Sequence, residues 1–318
     1  SYFMCLFNSL LVTAEQNSPF MASFAKSNTL VGMLISIAQR RLAFFDFIRT
    51  LTAKAPNYAL TSNEIDFLIC QSFVDEKRSK SSIELIDIGL KLAKTAPDST
   101  LTLLRMIGVT LTRMLTAKVP KAIDLFKIVT KSDALFQLPD VTVSKLGPTF
   151  DAFSFIPTVL PSELNNILNC FVFISKKSPA IVQVLQSPDS KVYINLSKAF
   201  DSNPNENTIN LLFSFATNDT QNIVNSRALE LVLEKSQIMR KEFQIIMKVN
   251  EMCEKSPENL RKVCTSEVPG FIVSRLNTVL DQQTKNLLFS MYKKICANNF
   301  TVSTFFSTIV VINKPTFE

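Results

Sequence analysis

Apolar residues recur along this chain at helical spacing, in short blocks that turn residues separate. The clearest case is 257–299, where "PENLRKVC", "FIVSRLNTVL" and "QQTKNLLFSMYKKICANN" follow one another. In the last block Tyr292 and Ile295, three positions apart, fall on one helix face. Pro257 suits a first helical position, where its missing N–H costs nothing, and "TSEVPG" interrupts the pattern after the first block. The pattern predicts a short, a medium and a long helix.

A helix-end phrase repeats along the chain and sets the length of this three-helix unit. It reads "LTAKAP" at 51–56, "LAKTAP" at 92–97, "ISKKSP" at 174–179 and "MCEKSP" at 252–257. With weaker copies included, the phrase ends at 19, 56, 97, 133, 179, 219, 257 and 300, a spacing of 36 to 46 residues. The same three-helix plan is predicted for every unit, as in 56–96 and 179–218. Periods of roughly 40 to 47 are typical of armadillo and HEAT arrays.

Two columns counted back from these phrase ends are almost entirely apolar. Five residues before each end stand Ala14, Leu51, Leu92, Ile128, Ile174, Ser214, Met252 and Ile295. Eight residues before stand Leu11, Ile48, Gly89, Leu125, Phe171, Leu211, Val249 and Tyr292. Positions three apart share a helix face, so the columns predict a buried seam that runs from unit to unit.

The segment "SPENLRKVCTSEVPGFIVSRL" at 256–276 resembles an armadillo repeat. It has the Ser-Pro-Glu-Asn start, a basic first helix, a small residue before a proline and an apolar second helix. The resemblance implies an all-α fold: a right-handed α-solenoid of stacked, armadillo-like three-helix repeats of about 40 residues. The other units fit HEAT repeats as well. Residues 1–318 would then form one repeat domain with about six full units, 19–299, and partial units at both ends.

The apolar ends of the chain lead us to expect an excerpt of a longer protein, because complete solenoids carry polar caps. In style, the low-glycine helical arm also resembles the solenoid arms of large BEACH-type trafficking proteins.

Composition supports the helical interpretation. Only 5 glycines occur against 14 prolines, and glycine supplies many of the turns that β-rich folds need. Apolar residues make up 47%, with 26 phenylalanines and no tryptophan, so a core of Phe, Leu and Ile is expected. No run of 18 apolar residues predicts a membrane span, and no export signal is visible. We therefore expect a cytoplasmic protein, with a nuclear location left open.

The residues that most catalytic and metal sites need are missing or scattered. The chain has no histidine, no Cys-x-x-Cys pair and no glycine-rich phosphate loop. We expect no enzyme activity, no metal, no cofactor and no small-molecule substrate. The leading hypothesis is a non-enzymatic protein–protein interaction scaffold that binds a partner segment along a concave groove.

A third column, six residues before each phrase end, gives the candidate site. By resemblance it matches the asparagine ladder of nuclear-import armadillo proteins, but this chain has no asparagine there and no tryptophan. A receptor for nuclear-localisation signals is therefore disfavoured. The column holds Lys91 and Lys127 on adjacent units, followed by Phe173 and Phe213. These four predict a basic and aromatic surface for a segment with acidic and apolar residues. Alternatively, both phenylalanines are core residues and both lysines are ordinary surface residues.

Charge keeps a second function open. The net charge is +7 and the pI is about 9.0, although basic residues occur as scattered pairs. A membrane-peripheral or nucleic-acid-associated solenoid that uses its basic surface is the alternative hypothesis.

Overall fold

The computed structural model describes residues 2–15, 18–26, 43–55, 68, 84, 123–124, 126–127, 130–131, 133–136, 138–218, 221–278 and 281–298. Of the described residues 84% are helical, which confirms the all-helical class. The chain divides into two compact units, Ser1–Ile156 and Pro157–Glu318, here called the N-terminal and C-terminal units. The prediction of one repeat domain over 1–318 stays a prediction.

The described helices of the N-terminal unit are α1 (Tyr2–Thr13), α2 (Pro19–Lys26), α3 (Ala43–Lys54), α4 (Asp133–Phe136), α5 (Asp140–Val143) and α6 (Gly147–Val159), with a 3-10 turn at Ser144–Leu146. Helix α1 packs against α3, and Leu11, Ile48 and Leu51 are buried. Near the end of this unit the rings of Phe126 and Phe153 stack with centroids 4.1 Å apart.

The C-terminal unit is described almost continuously. After a 3-10 turn at Pro161–Glu163 it contains α7 (Leu164–Lys177), α8 (Pro179–Leu185), α9 (Val192–Ser202), α10 (Glu206–Ala216), α11 (Ser226–Ile238), α12 (Glu242–Lys255), α13 (Pro257–Cys264), α14 (Val268–Thr278) and α15 (Gln282–Asn298). Two strands of two residues, β1 (Thr217–Asn218) and β2 (Asn222–Ile223), separate α10 from α11.

Helix starts follow local sequence signals. Ser178, Asn205, Asn225 and Ser256 are N-caps whose side chains accept a hydrogen bond from the backbone N–H three residues later. Pro179 and Pro257 follow two of these caps at the first helical position. Three helices lie within 179–218 and three within 257–298, as the pattern predicts, whereas most of 56–96 falls outside the described residues.

The three-helix prediction fails within 221–256, which holds only two helices, α11 and α12. In place of a short first helix, β1 and β2 pair antiparallel, with Thr217 opposite Ile223. The buried Asn259 side chain accepts a hydrogen bond from Ile223 N (2.8 Å) and donates to Gln221 O (2.7 Å). The N–H groups of Val224 and Asn225 both donate to Ala216 O. Peptide groups held in these bonds are unavailable for a helical turn.

Most of the described residues in the two apolar columns are buried, as predicted. Leu51, Ile174, Met252 and Ile295 of the first column are buried, as are Leu11, Ile48, Phe171 and Val249 of the second. Ala14, Ser214, Leu211 and Tyr292 are half-buried, and Leu92, Ile128, Gly89 and Leu125 lie outside the described residues.

Two rows of helices organise the C-terminal unit. In one, here the α7 row, α7 packs on α10 and α12 packs on α15. Helices α10 and α12 are joined because Lys241, the N-cap of α12, pairs with Glu206 of α10 at 3.0 Å. In the other, the α9 row, α9 packs on α11 and α11 packs on α14. Helix α10 also packs on α11.

Candidate functional site

The four predicted site residues have different surroundings. Lys91 lies outside the described residues. Lys127, in the N-terminal unit, has an exposed side chain 3.9 Å from Asp124. In the C-terminal unit Phe173 of α7 is 39% exposed, whereas Phe213 of α10 is only 8% exposed. Because α7 packs on α10, these two phenylalanines lie on neighbouring helices. The surface formed by all four residues stays a prediction.

Burial of Phe213 has a clear cause in the register of α10. Here Leu212 and Phe215 are fully buried, while Leu211 and Ser214 are half-buried. The buried face is therefore one residue later than the spacing of the phrase ends predicts. One residue rotates a helical position by about 100°, which turns Phe213 towards the protein and Ser214 outwards.

Lysine ammonium groups lie close to phenylalanine rings at three places along the α7 row. Lys177 Nζ is 5.9 Å from the Phe173 ring centroid, Lys248 Nζ is 5.5 Å from that of Phe213, and Lys293 Nζ is 4.6 Å from that of Phe289. Such cation–π contacts hold a lysine against an apolar surface while its charge stays in water. All three lysines are exposed, and none pairs with a carboxylate of the described residues.

Sequence reasoning missed these three lysines as site residues. Two of the pairs, Phe173–Lys177 and Phe289–Lys293, carry a readable signal, because residues four apart meet on a helix surface. The pair of Lys248 and Phe213 joins α12 to α10 and has no such local signal.

Polar side chains join neighbouring helices of the row. Thr208 Oγ1 of α10 donates to Asn165 Oδ1 of α7 at 2.7 Å. Lys294 Nζ of α15 donates to Asn250 Oδ1 of α12 at 2.8 Å and also bonds the Glu254 carboxylate. The hydrogen bond from Lys294 holds the pKa of Glu254 below its usual value. These contacts hold Lys294 of α15, which stands six residues before the phrase end at 300, against α12.

Exposed amide side chains lie one helical turn before Phe173, Phe213 and Lys248. Asn169 of α7, Asn210 of α10 and Gln244 of α12 face solvent and form no hydrogen bond with the other described residues. A primary amide offers two donor hydrogens and an acceptor oxygen, so it can bond both groups of a peptide backbone. The face therefore presents positive charge, apolar rings and amides on adjacent helices.

Cys253 and Cys264 of the C-terminal unit are poor nucleophiles. Burial raises the pKa of the Cys253 thiol to about 12 and also raises that of Cys264. Burial raises the pKa of Tyr292 to about 12, and a hydrogen bond with Cys296 acts in the same direction. Thiolates are thus disfavoured at neutral pH. Across the described ranges, no group of three or more Cys, Asp or Glu side chains is placed to hold a metal ion.

Comparisons with protein families, with curated proteins and with solved structures found no match for this chain. Among the described helices, none combines the length and the apolar character that crossing a membrane requires.

Proposed function

We propose that this protein is a non-enzymatic scaffold: a right-handed, armadillo-like α-solenoid whose concave groove binds a segment of a partner protein. The α7 row lines the groove in the C-terminal unit. The partner segment carries acidic and apolar residues, and the complex forms in the cytoplasm. The observation that carries the proposal is the exposed face of the α7 row, with Lys177, Lys248 and Lys293 each beside a phenylalanine ring.

The spacing of tertiary hydrogen bonds supports the repeat architecture. Ser226 bonds Gln186 across 40 residues, Lys262 bonds Ile223 O across 39, and Thr208 bonds Asn165 across 43. Other side-chain hydrogen bonds between neighbouring segments range from 32 residues apart, for Tyr193 and Asn225, to 44 residues apart, for Lys294 and Asn250. Stacked repeats contact only their neighbours, so such links cluster at one repeat length, here about 40 residues.

The exposed face supports the binding role. An exposed lysine that lies beside a ring and has no carboxylate partner among the described residues keeps its charge available to a ligand. Aromatic anchors with charged neighbours commonly dominate the energy of protein–protein contacts. Amides such as Asn210 can bond the backbone of an extended peptide whatever its sequence.

A second candidate is a membrane-peripheral or nucleic-acid-associated solenoid, as a part of a BEACH-type trafficking protein would be. The same exposed lysines, with the net charge of +7, favour it. The two candidates differ in salt dependence. Binding to a polyanion weakens steeply between 50 and 200 mM salt because counterions are released, whereas a segment with apolar anchors loses much less.

The test is a selection of binding peptides from a displayed random-peptide library, with the full chain as bait. Hydrogen–deuterium exchange of the chain with the best peptide then maps the protected helices. We expect slower exchange in α7, α10, α12 and α15 and no change in α9, α11 and α14.

Two charge-reversal variants complete the test. Lys177→Glu/Lys248→Glu should lose the selected peptide, whereas Lys198→Glu, at an exposed position of α9, is the control and should keep it. Protection confined to the α9 row, or equal binding by both variants, would contradict a groove on the α7 row.

A further inference from the structure

Two apolar side chains stand exposed side by side in the middle of the α7 row. Phe243 is 37% and Met247 is 38% exposed, and they occupy adjacent turns of α12. They share a helix face with Asn250 and Glu254, which follow at three- and four-residue spacing. Because those two residues bond Lys294, this face of α12 looks towards α15. Phe243 and Met247 together are called the Phe–Met shelf below.

A free positive charge lies on each side of the shelf. On the α10 side, Lys248 extends over the Phe213 ring. On the α15 side, Lys293 extends over the Phe289 ring. On the same side of α12, Glu254 is already paired with Lys294. Glu251, one turn after Met247, is exposed and forms no ion pair with the other described residues, so it is the one acidic side chain beside the shelf on α12 that a ligand would meet. The shelf and the two lysines thus form an apolar centre with cationic flanks across three neighbouring helices.

We propose that this surface binds an extended peptide segment in which one apolar side chain lies between two acidic ones, in the pattern acidic-x-apolar-x-acidic. The apolar side chain covers Met247 and Phe243, and the carboxylates contact Lys248 and Lys293. The inference rests on the proposed function, because it specifies the partner segment for one part of the α7 row.

The spacing of the surface fits an extended chain. Packed helices lie about 8–10 Å apart, which is the expected distance between the axes of α12 and α15. The flexible side chains of Lys248 and Lys293 add reach on both sides of that spacing. In an extended peptide every second side chain points the same way, and residues i and i+4 are about 13 Å apart. Three alternate side chains therefore span the two lysines with the middle one over the shelf.

A single-stranded nucleic acid fits less well. Successive bases bind by stacking on successive exposed aromatic rings. The shelf offers one such ring, Phe243, because Phe213 is only 8% exposed beneath Lys248. Met247 offers no flat face for a base. The neighbouring amide of Gln244 instead suits the backbone of a peptide.

The experiment measures fluorescence anisotropy of a labelled eleven-residue peptide with the core Glu-Ser-Leu-Ser-Glu, titrated with the full chain. A control peptide has the same composition with the core Glu-Glu-Leu-Ser-Ser. Protein variants are Met247→Ser and Lys248→Gln/Lys293→Gln, all at exposed positions, with Lys198→Gln of α9 as the matched control. Oligothymidine of twelve nucleotides and phosphatidylserine vesicles are the competing probes.

We expect saturable binding of the first peptide, about tenfold weaker binding of the control peptide, and losses of about tenfold or more in both shelf variants. Lys198→Gln should bind like the unchanged chain. Binding that ignores the order of residues in the peptide would overturn the proposal. Tighter binding of oligothymidine or vesicles, abolished by the lysine variant but not by Met247→Ser, would overturn it too. If peptides selected from the library bind normally to both shelf variants, this inference fails while the scaffold function stands.

Discussion

Lysine residues have two distinct roles in the C-terminal unit. Lys235 of α11 is almost fully buried, and its ammonium donates to Asp201 at 2.8 Å and to Glu234 at 2.9 Å. Burial by itself lowers the pKa of Lys235, but the hydrogen bonds to Asp201 and Glu234 outweigh it and raise the pKa. Lys248 and Lys293, by contrast, lie beside rings without a carboxylate partner among the described residues. The ion pair of Lys235 with Asp201 joins α11 to α9, whereas the ammonium groups of Lys248 and Lys293 remain available to a ligand.

Asn259 is the clearest structural residue of this unit. Its side chain is 1% exposed and makes hydrogen bonds with Ile223 N, Gln221 O and Met252 O. It therefore connects the β1–β2 hairpin to the end of α12 and the start of α13. Sequence alone gives no sign of this role, because an asparagine three residues after a serine cap is normally a surface residue.

Asn259→Ala should lower the free energy of unfolding by about 2–3 kcal/mol, because it leaves the buried N–H of Ile223 without a partner and removes the donors to Gln221 O and Met252 O. Urea unfolding followed by circular dichroism measures this loss. Hydrogen exchange should accelerate at 217–223 before other segments.

Asn259→Asp tests the hydrogen bonds that this side chain donates separately from the one that it accepts. It keeps the shape and the oxygen that accepts from Ile223 N but removes the N–H groups that donate to Gln221 O and Met252 O. Asn259→Asp should therefore also lower the free energy of unfolding. Asn210→Ala, at an exposed position of α10, is the control and should leave that free energy unchanged. Similar stability of Asn259→Ala and the unchanged chain would contradict this role.

At the scale of helices, α12 and α14 are joined by a forked ion pair. Arg275 Nε and Nη2 donate to the two carboxylate oxygens of Glu242, each at 2.6 Å, and the side chains are only 21% and 13% exposed. The hydrogen bonds that Arg275 donates to the Glu242 carboxylate raise the pKa of Arg275. Bidentate geometry and burial distinguish this pair from surface ion pairs, which contribute little.

Arg275→Met should destabilise the protein by about 2–3 kcal/mol, because it leaves the Glu242 carboxylate half-desolvated and unpaired. In Arg275→Met/Glu242→Leu most of that loss should be recovered, since no buried charge remains. Thermal or urea unfolding of both variants measures the difference.

The exposed pair of Lys262 and Glu258, 3.0 Å apart, offers a matched comparison for this ion pair. Glu258→Gln should cause no measurable change, because water screens that pair. A double variant as unstable as Arg275→Met would mean that the packing of the arginine stem, rather than its charge, joins the two helices.

At the scale of the whole molecule, tertiary links connect neighbouring segments. Side-chain hydrogen bonds such as Lys235 to Asp201, Glu267 N to Glu230 and Arg275 to Glu242 join residues 33 to 37 apart. The fully buried Phe215 ring lies 5.6 Å from Phe171 and 6.0 Å from Tyr193, which places it where α7, α9 and α10 meet. If stability is a sum over neighbours, damage at this point stays local.

Phe215→Ala removes that ring and should cost about 3–5 kcal/mol through the cavity it leaves. Hydrogen exchange followed by mass spectrometry should show faster exchange in α7 to α11 and little change in α14 and α15. Equal acceleration across 164–298 would indicate one cooperative core instead of a stack. Leu288→Ala in α15 is the reciprocal control, with its effect confined to the last helices.

Sequence reasoning reached most of the local structure but only part of the candidate site. It predicted the helices of 179–218 and 257–298 from apolar spacing and turn residues, which are local signals. The N-caps Ser178, Asn205 and Ser256 that start three of these helices act over the same short range. Sequence reasoning missed the hairpin at 217–223, which depends on Asn259 from another helix. It also placed Phe213 one residue out of register, because a spacing that varies between 36 and 46 does not fix a position to one residue.

The sequence by itself determined the helical class, the helix starts and most of the buried seam. These follow from periodicity and capping, which act between residues a few positions apart. Only the tertiary structure decided which face of α10 is buried, that Lys248 covers Phe213, and that Phe243 and Met247 stand exposed between two lysines. Those features arise where residues about 35 to 45 positions apart meet, and a local pattern carries no information about that meeting.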